Sequence, residues 1–263
     1  MGSTMRDFLH PEFILFGIDD LEAYKIGKEL YKTITNAPLY ETTIENAELI
    51  KVSYNTLIST KISFANTIME LCHKLPNTNV DEVTNALKLA NRRLISGSYM
   101  DGGMGDGGGC HPRDNIAMSY LSKKLNLSHN WFEHIMAQRE NQTEWLADVI
   151  CEHKKNYKVN ILGKSFKAES NLTLGSPAIL LKSILEEKGV FVNIWDPIID
   201  GNIKENIRKY NWDKEAQLYF IATKHEQFQN FPFYDNSLVI DPWRYITKRK
   251  NINLISIGQN YKK

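Results

Sequence analysis

Cys110 closes the run Gly102-Gly103-Met104-Gly105-Asp106-Gly107-Gly108-Gly109 and opens His111-Pro112-Arg113-Asp114. The glycines leave no side-chain wall in front of the sulfur, so a substrate can approach it. Pro112, followed by the helical stretch from Asn115 to Leu125, places Cys110 near a helix N-terminus. The helix dipole and Arg113 both favour thiolate there. Access, a positive field and Asp114 one turn on make a nucleophile's setting. A glycine loop holding a buried, inert thiol has the same local composition, and exposure of the sulfur separates the two readings. Lys51 and Asn55, four apart in a helical pattern, project from one face. Taken alone, that pair also fits a solvated helix face.

The elements that must position these groups fall into three stretches, 1–40, 41–153 and 154–263. In the first, the apolar run Phe13 to Ile18 reads as a strand, and Asp19-Asp20 caps a helix running to about Thr33. An unbroken apolar strand belongs inside a parallel sheet, buried on both faces. No partner strand lies upstream, so this stretch reads as an orphan strand and helix left from a larger α/β domain. In the second, Ile50, Tyr54, Leu57, Ile58, Ile62, Ala65, Ile68, Met69, Cys72 and Leu75 recur at helical spacing. They predict one helix of about 30 residues from near Thr43 to Leu75, well beyond the usual length. Its apolar stripe is the core of an all-α central domain and a candidate dimer seam. Val80 to Leu89, capped by Asn79 or Asp81, and Ser128 to Ile150, capped by Ser128, are further helices. In the third, Tyr157–Leu162, Val190–Trp195, Leu218–Ile221, Leu238–Ile240 and Leu254–Ile257 read as strands, with a helix from Pro177 to Glu187. Strands alternating with helices indicate a doubly wound, parallel α/β sheet. Ligands of such sheets bind beyond the carboxyl ends of the strands, at Gly163 to Lys167, at Asp196 and at Asp241 to Arg244.

Composition narrows the class. A chain of 263 residues holds one large or two ordinary domains, and 42% hydrophobic content sustains real cores. A net charge of +1 excludes a nucleic-acid binder that works by neutralising phosphates. Lys248-Arg249-Lys250 and Lys262-Lys263 read as solvated ends. Three cysteines without disulfide spacing, and no apolar stretch resembling a signal peptide or spanning a bilayer, point to a reducing cytoplasm. The triplets at Asn126, Asn141 and Asn171 are then chance glycosylation matches. Cys72-His73, Cys110-His111 and Cys151-x-His153 lack the paired spacing of a zinc site, so no metal is expected. Gly103, Gly105 and Gly108 match G-x-G-x-x-G, but helical sequence precedes them where a dinucleotide fingerprint needs a strand. Trp131, Trp145, Trp195, Trp212 and Trp243 read as core or pocket walls.

Three blocks, in order along nearly the whole chain, resemble the UDP-glucose/GDP-mannose dehydrogenases, which oxidise a nucleotide sugar at C6 to a uronate. They are Glu48 to Asn55 with Lys61 to Asn66, Gly107 to Asp114, and Ile161 to Lys167 leading to Trp195-Asp196-Pro197. The resemblance implies that Cys110 attacks the aldehyde from a first hydride transfer and carries a thiohemiacetal, then a thioester. It implies that Lys51 stabilises the oxyanion, that Asn55 helps hold the reacting oxygen or a water, and that Asp114 assists proton transfer. It places Gly107, Gly108, Arg93, Lys167 and Arg244 at the substrate, with Arg93 reaching a neighbouring subunit, and Arg113 at the NAD cofactor. Leu174 stands where many relatives have arginine, and Asp241-Pro242-Trp243 where many have Asp-Gly-Arg, so the sugar and the base stay open. In the family a dinucleotide-binding domain precedes a segment like Arg6 to Pro11, near which this chain starts. The implied partners are a nucleotide sugar, a second copy of the chain and a separately encoded NAD-binding half, without which the chain does not turn over. The alternative is a truncated, non-catalytic protein that dimerises and binds a nucleotide sugar.

Overall fold

The computed structural model describes residues 4–91, 101–105, 108–124, 126 and 130–260. Arg93, Gly107 and Ser128 lie outside them. The chain divides into two compact units, Met1–Leu57 and Ile58–Lys263.

The first unit contains α1 (Thr4–Leu9), β1 (Ile14–Gly17), α2 (Leu21–Lys32) and β2 (Leu39–Thr42), and the start of α3 (Ile44–Lys74). Asp20 caps α2 as expected: its carboxylate accepts from the backbone N–H of Glu22 at 2.7 Å and of Ala23 at 2.9 Å. The strand expected to be an orphan has a partner, and it lies downstream. β1 pairs in parallel with β2, from Ile14 opposite Leu39 to Gly17 opposite Thr42, closing a β-α-β unit over α2. Leu39-Tyr40-Glu41-Thr42 does not read as a strand because it is four residues long and half polar, without alternation. Phe16 packs edge-on against Tyr24 and Tyr31. Among the described residues, Ile14 is the only buried apolar side chain of this unit, and Met5, Leu21, Ile26 and Leu30 are exposed.

The second unit holds the rest of α3, then β3 (Thr78–Asn79), α4 (Val80–Lys88), α5 (Cys110–Lys124) and α6 (Trp131–His153). At 31 residues, α3 matches the length its apolar period predicts. Asn79 caps α4 by accepting from the N–H of Asp81 at 2.8 Å. The cap of α6 is Asn130, which accepts from the N–H of Glu133 at 3.4 Å, so this helix starts later than the reading from Ser128. The helix after the glycines starts earlier than Asn115, with Cys110 as its first residue.

Then follow β4 (Val159–Leu162), α7 (Pro177–Glu187), β5 (Val192–Trp195), α8 (Ile203–Tyr210), β6 (Leu218–Ile221), α9 (Glu226–Gln229), β7 (Ser237–Asp241), β8 (Ile252–Ser256) and β9 (Gln259–Asn260). The five long strands form one parallel sheet in the order β5-β4-β6-β7-β8. This is a doubly wound order, and its direction reverses between β4 and β6. Alternate residues feed two cores. Val159, Ile161, Leu218 and Phe220 pack with Leu146 and Ile150 of α6 and Leu181 and Leu185 of α7. Leu162, Tyr219, Ile221 and Val239 pack with Trp195, Trp212, Phe228 and Phe231 on the opposite face. Burial on both faces is why these strands read as near-continuous apolar runs. β3 pairs antiparallel with β9 and ties the helical part to the end of the sheet.

Candidate active site

The glycine run is held from two sides by amide side chains. On α3, Asn66 accepts from the N–H of Gly103 at 2.8 Å and donates to the carbonyl of Gly105 at 2.7 Å. On α6, Gln142 donates to the carbonyl of Gly103 at 2.7 Å and accepts from the N–H of Gly105 at 3.4 Å. Both side chains are 2% exposed. Their amides supply the donors and acceptors that this buried loop backbone lacks. Gly103 must be glycine because the Trp243 ring lies where a Cβ would stand, 1.9 Å from that position. Gly108 has φ +100, a conformation that suits glycine, and the Phe166 ring covers its Cα.

This turn delivers Cys110 to the first position of α5, where its thiol is exposed. Asp114 lies one turn further on and is 3% exposed. Arg113 reaches one Asp114 oxygen with Nε and with a terminal nitrogen, both at 3.0 Å. The hydrogen bond and charge of Asp114, with Cys110 adding, hold Arg113 more firmly protonated than an isolated arginine. His111 is oriented by Ser59 Oγ at 2.8 Å from its Nδ1, and its carbonyl accepts from Asn115 at 3.0 Å. A thiol here stands at the positive end of the α5 dipole, with a cation beside it.

The second wall comes from the sheet. After β4 the chain turns at Gly163 into the segment Lys164 to Gly175, which carries Phe166 and the exposed Lys167. Asp196, at the end of β5, is fully buried and fastens the start of that segment. One of its oxygens accepts from the N–H of Lys164 at 2.8 Å, the N–H of Ser165 at 3.0 Å and the Ser165 hydroxyl at 3.1 Å. His225 Nε2, just past β6, lies 3.1 Å from the same oxygen. Burial alone would raise the proton affinity of Asp196, but the hydrogen bonds from His225, Lys164 and Ser165 outweigh it and hold the carboxyl well below the usual carboxylate range. At its far end the segment lies on the turn before the sulfur, with the Leu174 carbonyl and Gly175 against Gly109. Arg139 of α6 donates to the Gly175 carbonyl at 2.8 Å.

A cavity of about 220 Å³ adjoins this turn, lined by Ile62, Asn66, Asp101, Met104, Gly105, Phe166 and Trp243. Two aromatic rings, an amide, backbone groups and a carboxylate suit a planar ligand with hydrogen-bonding edges.

Cys110, Asp114, Gly108 and the segment bearing Lys167 thus share one neighbourhood. Lys51 is exposed and Asn55 half-buried, on consecutive turns of α3 in the first unit. Arg244, read as a substrate ligand, lies against the start of the glycine run. Its guanidinium meets Asp81 at 3.0 Å and donates to the carbonyls of Pro242 and, at 2.7 Å, Gly102. Asp241 spends its carboxylate on the N–H groups of Trp243, Tyr245 and Ile246. Leu174 is 83% exposed. Sequence reasoning missed Gln142 and His225, and gave Asn66 no role. The one available signal was the position of His225 beyond a strand end.

A sequence model described as the UDP-glucose/GDP-mannose dehydrogenase family, central domain, matches residues 45–141, and one for the same family's UDP binding domain matches 160–248. The chain belongs to this family. The family's UDP-glucose 6-dehydrogenase from Rickettsia conorii is 28% identical over 87% of this chain and 55% of its own length. The UDP-glucose 6-dehydrogenase TuaD from Bacillus subtilis is 29% identical over 75% of this chain and 42% of its own. A UDP-glucose dehydrogenase structure from the hyperthermophilic archaeon Pyrobaculum islandicum shares the fold, with TM-score 0.84 and 24% identity over 98% of this chain and 61% of its own. The chain therefore spans about half of the curated relatives it matches.

The family's dehydrogenases use NAD. The β1–α2 turn does not offer a pyrophosphate its usual place at a helix start. The turn between β1 and α2 reads Ile18-Asp19-Asp20, and the Asp20 carboxylate already occupies the N–H groups that a pyrophosphate would need. Among the described residues no cluster of His, Cys, Asp and Glu could hold a metal ion, and no helix is long and apolar enough to cross a membrane.

Proposed function

We propose that this chain is the catalytic-thiol and sugar-nucleotide portion of a nucleotide-sugar 6-dehydrogenase. The observation that carries the reading is the exposed Cys110 at the first position of α5, on a glycine turn packed against the Phe166-Lys167 segment of a UDP-binding-type domain. The uridine or guanosine base enters the cavity beside Phe166 and Trp243, and Lys167 meets the diphosphate. Cys110 Sγ adds to the C6 aldehyde, and the carbonyl oxygen takes a proton to give a thiohemiacetal. Asp114 assists proton transfer, while Lys51 and Asn55 steady the oxygen that gains charge. After oxidation, water attacks the sulfur-bound acyl carbon, the thiolate leaves, and the acid is released. Gly107, Gly108 and Arg93 belong to the same substrate site, and Arg113 faces the cofactor.

Hydride acceptance is NAD chemistry, supplied by an α/β portion that docks on the first unit. Its two-stranded sheet and the exposed Met5, Leu21, Ile26 and Leu30 support that docking. A second copy of this chain covers the apolar groove of about 350 Å³ formed by Thr60, Ser63, Phe64, Trp131, His134, Ile135 and Gln138. The protein works in the cytoplasm, where its three thiols stay reduced.

The test combines this chain with the NAD-binding portion of a relative and follows NADH at 340 nm with UDP-glucose, UDP-N-acetylmannosamine and GDP-mannose. NADH and acid should form with one of them, and Cys110→Ser should stop acid release. Binding of a nucleotide sugar with no NADH from any pairing would leave the non-catalytic alternative standing.

A further inference from the structure

Two lysine ammonium groups stand over the two rings that line the cavity. Lys167 Nζ lies 5.8 Å from the centre of the Phe166 ring, and Lys224 Nζ lies 5.2 Å from the centre of the Trp243 ring. Both lysines are exposed, and among the described residues neither makes an ion pair, whereas nearby Lys164 is taken by Asp200 at 2.5 Å. Lys167 has a part in the chemistry above. Lys224 has none.

The backbone brings the two lysines together. Lys224 stands just past β6, between Thr223 and His225, which are 3% and 0% exposed. Both of these neighbours hold Ser165, two residues before Lys167. The Thr223 hydroxyl donates to the Ser165 carbonyl at 2.7 Å, and His225 Nε2 lies 3.1 Å from the Ser165 hydroxyl. The tips that follow β4 and β6 are thereby stitched to each other, at the ends of neighbouring strands where the order reverses. Trp243 is tied to the same tip, since its indole N–H donates to the Ala222 carbonyl at 3.2 Å. A doubly wound sheet receives its ligand at this place.

A ring face attracts an exposed ammonium only weakly, so each lysine is readily drawn off by a stronger partner. Phosphoryl oxygens are such partners, because they accept charge-assisted hydrogen bonds. A diphosphate offers one phosphoryl group to each ammonium.

We infer that Lys224 is a substrate-binding residue: with Lys167 it grips the diphosphate of a nucleotide sugar whose base lies against Phe166 and Trp243. The inference deepens the reading of this domain as the nucleotide-sugar site and rests on it. It holds for a uracil or a guanine base alike, because the diphosphate is common to both.

Isothermal titration calorimetry on the full chain gives Kd for UDP and GDP, and ligand-detected NMR gives Kd for uridine and guanosine. Lys224→Met keeps the length of the side chain and removes its charge. The better-bound nucleoside diphosphate should weaken about tenfold or more, while its nucleoside changes by less than about twofold. Lys224→Arg restores the charge and should recover most of the loss. Lys209, whose Nζ stands 5.0 Å from the Tyr210 ring centre on α8, is the control, and Lys209→Met should bind as wild type. An unchanged diphosphate Kd in Lys224→Met overturns the inference. Equal weakening of nucleoside and diphosphate also overturns it, since that is the mark of a disturbed Trp243 and not of a lost phosphate contact. A matching loss in Lys209→Met, or no recovery with arginine, is equally fatal. A wild-type chain that binds neither UDP nor GDP overturns the reading of the domain and the inference with it, whereas normal binding untouched by Lys224→Met overturns the inference alone.

Discussion

Replacing Asn66 by alanine removes the hydrogen bonds that hold the nucleophile's loop from the α3 side. Two buried backbone groups lose their partners, the N–H of Gly103 at 2.8 Å and the carbonyl of Gly105 at 2.7 Å. A buried polar group left unsatisfied costs about 1–3 kcal/mol, so the pair sums to about 2–6 kcal/mol. Asn66 and Gly105 line the cavity of about 220 Å³, so water can take over part of the lost bonding. The expectation therefore moves to the lower half of that range, about 2–4 kcal/mol. Urea unfolding followed by tryptophan fluorescence measures it, with Trp243 against Gly103 as a local reporter. Gln142→Ala should cost less, about 1–3 kcal/mol, because one of its two bonds is 3.4 Å long. The double mutant should cost less than the sum, by about 1 kcal/mol, since a loop freed from one side has less to lose on the other. Asn66→Asp adds a sign test. At neutral pH its carboxylate would face the Gly105 carbonyl oxygen, whereas a protonated acid can donate to it. Its folded proton affinity would then be raised, so the variant should gain stability relative to wild type as pH falls from neutral toward about 4. A cost below about 1 kcal/mol for Asn66→Ala, or strict additivity with Gln142→Ala, would refute the clamp.

Three further outcomes are expected. Asp196 binds its proton more weakly folded than unfolded, so its contribution to stability is complete above about pH 5 and is lost as pH falls below about 4; acid unfolding of Asp196→Asn should lack that part of the slope. Gly108→Ala forces a Cβ into the Phe166 ring at φ +100 and should cost at least about 2 kcal/mol by chemical denaturation, with wild-type-like stability counting against the packed turn. Arg244→Ala should lower stability by about 2–4 kcal/mol through loss of Asp81 and the Gly102 carbonyl, with lysine recovering less than half; unchanged stability together with weaker UDP binding would instead make Arg244 a substrate ligand.

Many of the elements were legible. The caps Asp20 and Asn79, the apolar period of α3 and the short apolar strands β4 and β6 each announce themselves within a few residues. The glycines before Cys110 announced a close approach without naming what approaches. Trp243 and Phe166 turn out to fill that space. β2 stayed hidden because four residues, two apolar and then two polar, carry no strand period, and its one ladder is with β1. The contacts of Arg244 were not legible either: a basic residue beyond a strand end gives no sign of Asp81, which lies 163 positions away in the chain and meets its guanidinium.

The sequence by itself determined where the long helices and the five strands of the main sheet lie and which thiol stands at a helix start. Helical period, capping and turn chemistry are interactions among neighbours, and neighbours are what a sequence displays. Only the tertiary structure decided which side chains serve the backbone of the site. His225 meets Asp196 across 29 positions and Ser165 across 60, and Gln142 meets Gly103 across 39. Those bonds exist because the doubly wound chain path brings the ends of β4, β5 and β6 together and lays α6 beside the glycine turn, and no local pattern encodes that path.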